Sequence, residues 1–287
     1  MARTSKRRTG GKRSLGVVVL GLILLAVAFI LPPEQREPIV DLARSLLQGT
    51  ESPKGTDPPR SNGPQGTVTL AEGIPGSFET SKRLLYEEVH PDHRETFYCG
   101  CPYDSDRDID LKRCGVTPRR SRARAERVEA EHVMPAYAIG MSLGCWEKDV
   151  CTDSDGKAFG GRECCYEKDD VFRAAHNDLH NLQPAVGEVN GDRSNMPFGE
   201  VTGEPREYGK CDMEVDTERD VVEPPPERRG DIARTYLYMA STYGLVLSSA
   251  ERKQYERWSQ EDPPDAWERK RNTRIAEIQG RANPFIK

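Results

Sequence analysis

The sequence lacks a net positive charge. Its 42 Lys and Arg residues face 47 Asp and Glu, a formal charge of −5. That balance argues against a protein that coats nucleic acid through a uniformly basic surface. There is no internal repeat. Paired C-x2-C knuckles are missing as well, since Cys99-Gly100-Cys101 and Cys164-Cys165 have the wrong spacing for structural zinc. No small-x-small cleavage site follows the long apolar run near the N-terminus. Hydrophobic residues make up 36% and charged residues 31% of the 287 positions. The bulk of the chain therefore reads as soluble globular protein, in one large domain or two small ones.

What is present begins with a membrane signal. Arg3, Lys6, Arg7, Arg8, Lys12 and Arg13 precede an apolar run from Leu15 to Leu31. The run is long for a signal-peptide core and slightly short for a full bilayer span. Residues 1–14 read as a cytoplasmic basic tail and 15–31 as an uncleaved transmembrane signal anchor, with everything beyond exported. The product then faces the periplasm or the exterior, anchored to the inner membrane, or is secreted if the segment is cleaved. Residues 32–76 are rich in Pro, Gly, Ser and charge and read as a flexible linker. A folded domain is expected over 77–287. Eight cysteines agree with export: Cys99, Cys101, Cys114, Cys145, Cys151, Cys164, Cys165 and Cys211. An even count in an exported chain implies disulfides, in a pairing the sequence leaves open.

Within the domain, Ser81 to Val89 suits a helix and Cys99 to Pro118 a loop stapled by cysteines. Ala130 to Tyr137 suits a strand. Pro184 to Asn195 suits a helix with its proline in the first turn. Ile232, Tyr236, Met239 and Tyr243 recur at helical spacing. Ser248-x-x-Glu251 is a capping-box pattern opening a helix through Trp258. Asp262-Pro263 starts a last helix that Gly280 ends. The run from Lys112 to Arg127 carries seven cations against Glu126 alone, and reads as a solvated loop or a phosphate-binding surface.

The chemistry lies in two segments, EAEHVMPAYAI (129–139) and HNDLHNLQPAVGEVNGDRSN (176–195). Phosphodiester hydrolysis needs a water to lose a proton, the charge on phosphorus to be stabilised, and the leaving oxygen to be helped away. A neutral imidazole can take the proton near physiological pH. A hard divalent cation can do the rest, held by as little as one carboxylate and one amide oxygen. Glu131 and His132, adjacent at a strand end, point to opposite faces and can divide these tasks. A lone Glu-His pair is equally a surface strand end. His90 and His93 read as solvated. His176, two residues before Asp178, reads as a surface residue, and His180 as packed or hydrogen-bonded within the hairpin. Asp192 and Arg193 read as structural ion-pair partners of Glu188 or the C-terminal helices.

The spacing from Asn181 to Asn190 in HNLQPAVGEVN resembles the ββα-metal, or His-Me finger, nuclease motif. EHVMPA, HNLQPAVGEVNGDRSN, EPPPERRGDIARTYLYM, DPPDAWERKRNTRIAEIQG and NPF together look like the bacterial endonuclease I family, over roughly Ser81 to the C-terminus. These are exported, disulfide-containing nucleases with little sequence preference. The resemblance implies an α+β fold: a ββα-metal core with surrounding helices, disulfide-stapled. It implies that Glu131 and Asn190 bind Mg2+, for which Mn2+ or Ca2+ can substitute. It makes His132 the general base and Asn181 the residue that braces the loop. Arg162, read alone a loop arginine near Cys164, becomes the catalytic residue that grips phosphate near the cut.

The expected function is thus an exported, metal-dependent endonuclease of DNA, with RNA open as a second substrate, leaving 5′-phosphate and 3′-hydroxyl ends. Its partners are nucleic acid and, through the N-terminal segment, the membrane; no protein partner is implied. The alternative is a membrane-tethered DNA-binding or uptake protein that uses the nuclease fold for grip. With His132 as base, activity is expected to fall below its pKa, about 6.5 if unperturbed.

Overall fold

The computed structural model describes residue 68, residues 70–203 and residues 206–287. The basic tail, the expected anchor at 15–31 and most of the expected linker lie outside the described residues. Among the described residues no helix is long and apolar enough to cross a membrane. The packed part of the chain starts before Ser77. Val68, Leu70 and Ile74 lie against the core, and the carbonyl of Pro75 accepts a hydrogen bond from Asn177 Nδ2 at 2.9 Å.

The architecture is mixed helix and small sheet. Helix α1 (Phe78–Leu84) continues into a π-helical turn (Leu85–Val89). Two single-turn helices, α2 (Leu111–Cys114) and α3 (Arg122–Ala125), lead into strand β1 (Val128–His132) and helix α4 (Ala136–Leu143). A short hairpin, β2 (Cys151–Thr152) and β3 (Ala158–Phe159), precedes helices α5 (Gly161–Lys168) and α6 (Asp170–Asn177). Strand β4 (Leu182–Val186) pairs antiparallel with β1, with Glu131 opposite Gln183 and His132 opposite Leu182. It runs directly into helix α7 (Gly187–Arg193). A second hairpin, β5 (Glu214–Asp216) and β6 (Val221–Glu223), leads to the C-terminal helices α8 (Arg229–Tyr243), α9 (Ser249–Glu261) and α10 (Ala266–Gln279).

The helix expected from Pro184 starts at Gly187 instead. Residues 182–186 are buried at every position, and the ribbon has only two strands. Both strands are therefore edges, where a proline without an N–H is tolerated. The Pro184 carbonyl is also used, accepting from Phe97 N at 2.7 Å. Helix α7 runs through Gly191 because of clearance: a Cβ there would lie 2.0 Å from the Arg124 guanidinium.

The C-terminal helices follow their local signals more closely. The Ser248–Glu251 capping box is present, and α8 and α10 both end in a left-handed glycine, Gly244 and Gly280. Asp262 closes α9 rather than opening α10, whose cap is Asp265; two prolines separate them. Tyr236, Met239 and Tyr243 are buried from α8, and Tyr255 and Trp258 from α9. His90 is not solvated but buried, edge-on to Trp267, on which His93 stacks at 3.8 Å.

All eight cysteines pair. Cys99–Cys211 and Cys101–Cys114 staple the loops before β1. Cys145–Cys165 and Cys151–Cys164 fasten α5 to the segment after α4 and to the β2–β3 hairpin. Helices α8 and α10 are joined by a buried bidentate pair: Arg234 Nε and Nη2 donate to Glu268 Oε1 and Oε2 at 2.7 and 2.6 Å.

Removing one member of a buried pair strands the other charge. Glu268→Ala is therefore expected to cost about 3–5 kcal/mol of stability by urea unfolding. Glu200→Ala, at the exposed Arg257 pair, should cost under about 1 kcal/mol. Equal, small effects would contradict this account.

Candidate active site

The site is built where the end of β1 meets the last turn of α7. Arg193, in the last turn of α7, is fully buried. Its Nη1 donates to Glu131 Oε1 at 3.1 Å and to the His132 carbonyl at 3.0 Å, and its Nη2 donates to the Val133 carbonyl at 2.8 Å. This guanidinium ties the helix to the strand end. Asn190, three residues earlier and so on the same side of the helix, is thereby carried to the same place. Asn181 holds the loop after β1: its Oδ1 accepts from Met134 N at 2.7 Å and its Nδ2 donates to Met134 O at 3.0 Å.

A cavity of about 500 Å³ opens above this junction, and Glu129, Glu131, His132, Arg162, Asn190 and Phe78 all line it. The structure thus gathers Glu131, His132, Asn190 and Arg162, while Asn181 lies behind the wall. Arg162 comes from the first turn of α5, a helix pinned by Cys164 and Cys165.

Glu131 and His132 lie in different environments, as neighbours in a strand should. Glu131 Oε1 accepts from Tyr98 OH at 2.8 Å as well as from Arg193. Burial raises its carboxyl above the ordinary value, and Arg193 opposes that rise. His132 stacks on Phe78 at 5.0 Å, and its Nε2 lies 2.8 Å from the carbonyl of His176. A carbonyl can only accept, so Nε2 carries the proton and Nδ1 is the free lone pair. Burial pushes the pKa of His132 well below 6.5, and the charges of Arg162 and Arg193 push it the same way. The ring is therefore a neutral acceptor at physiological pH.

The oxygens that remain suit a hard cation. Tyr98 and Arg193 both use Oε1 of Glu131, so neither of them occupies Oε2. Asn190 Nδ2 donates to Glu129 Oε2 at 3.0 Å, which leaves its Oδ1. One carboxylate oxygen and one amide oxygen fit a divalent ion that keeps most of its waters. Among the described residues no group of three or more His, Cys, Asp and Glu stands at metal-binding spacing, so a larger protein cage is not built here.

The arginines from 119 to 127 are paired with carboxylates of the same chain, most of them at the surface. Arg119 and Arg120 approach Asp192, Arg122 pairs with Glu126, and Arg124 and Arg127 both hold Glu129. Glu188 caps the chain entering α3, accepting from the backbone N–H groups of Arg119, Arg120 and Ser121. The guanidiniums of Arg124 and Arg127 help hold the Glu129 carboxyl below its ordinary value. By contrast, Arg162 has no ion-pair or hydrogen-bond partner among the described residues.

Sequence reasoning missed Glu129, Tyr98, Phe78 and the second role of Arg193. Glu129 was within reach, because positions i and i+2 of a strand share a face. Arg193 was read as an ion-pair partner of Glu188 or the C-terminal helices. It pairs with Glu131, sixty-two residues away, and no local signal marks that. Asp192 pairs with Arg119 and Arg120 and accepts from Tyr208 OH. His180 donates from Nε2 to the Arg281 carbonyl.

Comparison with known proteins fits this geometry. The family model for endonuclease I matches residues 86–287. An extracellular deoxyribonuclease of Aeromonas hydrophila is 44% identical over 214 residues, 73% of this chain and 87% of the relative. A periplasmic deoxyribonuclease of the same organism is 44% identical over 214 residues, covering 73% and 85%. Endonuclease-1 of Buchnera aphidicola subsp. Acyrthosiphon pisum (strain APS) is 40% identical over 207 residues, covering 71% and 78%.

The His132 ring should stay neutral as pH falls through 6.5, the ordinary value. In a proton NMR titration, its signals, assigned by their loss in His132→Gln, are expected to hold still above that pH. A midpoint at or above 6.5 would contradict the site as described.

Proposed function

The chain belongs to the endonuclease I family and is an exported endonuclease; we propose that it hydrolyses DNA phosphodiester bonds, with a divalent cation held by Glu131 and Asn190. In this reading β1, β4 and α7 are the ββα-metal core. The observation that carries it is the convergence of Glu131, His132, Asn190 and Arg162 on one cavity.

His132 Nδ1 takes a proton from water, and the resulting hydroxide attacks phosphorus opposite the 3′ oxygen. Donation from Nε2 to the His176 carbonyl fixes the ring so that Nδ1 faces the reaction. The bond from phosphorus to the 3′ oxygen breaks with its electron pair, and that oxygen takes a proton from solvent water, leaving 5′-phosphate and 3′-hydroxyl ends. Arg162 offers its planar fork to the non-bridging oxygens. When bound, Mg2+, or Mn2+ or Ca2+ in its place, supplies positive charge against the scissile phosphate. Arg193 and Tyr98 hold Glu131 in place, and Asn181 fixes the loop that follows His132. Contacts to phosphate carry no base identity, which accounts for little sequence preference. RNA offers the same phosphate. Residues 15–31 anchor the protein in the inner membrane and place the domain on the exported side.

Full-length protein should nick and then degrade plasmid DNA with Mg2+, and EDTA should abolish this. His132→Ala should lower kcat by at least about 100-fold, the lower end for loss of a general base. Because burial lowers the His132 pKa, the active neutral form persists to lower pH. The acid limb of kcat/KM is therefore expected below 6.5, rather than at it. Full activity in His132→Ala, or with EDTA, would overturn the assignment.

A further inference from the structure

A second cavity, of about 530 Å³, lies beside the first, and Phe78 and Arg162 line both. Its remaining wall includes Tyr166 and His176. The aromatic rings form one assembly: Phe78 is edge-on to His176 at 4.9 Å, and Tyr166 is edge-on to His176 at 5.2 Å. The volume falls in the range of small-molecule pockets.

The polar atoms of this wall are oriented by their partners. Asn177 Nδ2 donates to the Pro75 carbonyl at 2.9 Å and to Tyr166 OH at 3.0 Å. That fixes the amide, so Oδ1 faces His176 Nδ1 at 3.3 Å. An amide oxygen only accepts, so the proton of His176 sits on Nδ1 and Nε2 is a lone pair. Nε2 is buried and has no partner among the described residues, on a residue 3% exposed. An unpaired buried acceptor normally costs free energy unless a ligand or water meets it.

We propose that this cavity is a nucleobase subsite, which receives an unstacked base of the substrate strand beside the phosphate held by Arg162. The inference rests on the nuclease reading above. Aromatic faces suit a base because every base has a π-face, so the subsite does not discriminate among the four. His176 Nε2 can accept from an N–H on the base edge. Arg162, on the shared rim, reaches a phosphate in the first cavity while the adjoining base enters the second. A base can enter only when it is out of the duplex stack, so single-stranded and distorted segments are cut faster than regular duplex.

An end-labelled single-stranded oligonucleotide, carrying one abasic nucleotide walked along its length, tests this with full-length protein and Mg2+. Cleavage should fall about tenfold, within the range of one lost base stack, at a single bond at a fixed offset from the abasic position. Tyr166→Ala should slow cleavage of the intact oligonucleotide by a similar factor and become indifferent to the abasic position. Tyr166→Phe, which keeps the ring, should retain the effect. If no bond responds to the abasic position, the subsite is wrong while the nuclease reading stands. If the intact oligonucleotide is not cut at all, the nuclease reading fails. The subsite is then read from a 2-aminopurine oligonucleotide bound in EDTA. Fluorescence quenched by wild type and not by Tyr166→Ala supports it, and no quenching by wild type overturns it.

Discussion

A single guanidinium holds the site together. Arg193 is wholly enclosed, and a charge in that position is tolerated only when it is paired and hydrogen-bonded. Besides the Tyr236 hydroxyl, its partners are the Glu131 carboxylate and the carbonyls of His132 and Val133, and Phe198 lies 4.5 Å beneath it. Those partners span the end of β1 and the loop beyond it, while Arg193 belongs to α7. The relative placement of Asn190 and Glu131 is thus set by a contact that neither of them makes with the other. Asn181 acts on the same loop from the turn that precedes β4. Two side chains, one charged and one amide, fix the loop from opposite sides.

The charge balance that first argued against a nucleic-acid protein has a local explanation. The arginines between 119 and 127 are matched to Asp192, Glu126 and Glu129 inside the same chain. They order the approach to β1 more than they offer an attractive surface. Arg162 is the cavity's contrasting case, a cation with no hydrogen-bond or ion-pair partner among the described residues, on a helix fastened by two adjacent cysteines with separate partners. An unpaired positive charge is thus placed on the cavity beside Glu131, His132 and Asn190, and net charge says little about such an arrangement.

Much of the outer frame could be read from local signals. The capping box at Ser248, the glycine ends at Gly244 and Gly280, and the spacing from Ile232 to Tyr243 are each decided within a few residues. The errors lie where distant contacts decide. Pro184 fits the first turn of a helix by local rules, yet pairing with Ala130 puts it in a strand. His90 looks solvated beside Pro91 and Asp92, yet Trp267 covers it. At the site, the adjacency of Glu131 and His132 and the spacing of the two asparagines could be read, while the partners that orient them could not. Tyr98, Arg193 and His176 are thirty-three, sixty-two and forty-four residues from the groups they touch.

The acceptor that orients His132 is a main-chain carbonyl. Position 176 supplies it whatever side chain it bears. Its imidazole lines the neighbouring cavity and packs 4.3 Å from the His132 ring, while its backbone orients that ring. One residue serves two masters through atoms that genetic variation can separate. A change of side chain at 176 would therefore reshape the second cavity and the packing around His132 together, while leaving the carbonyl that orients Nε2 in place.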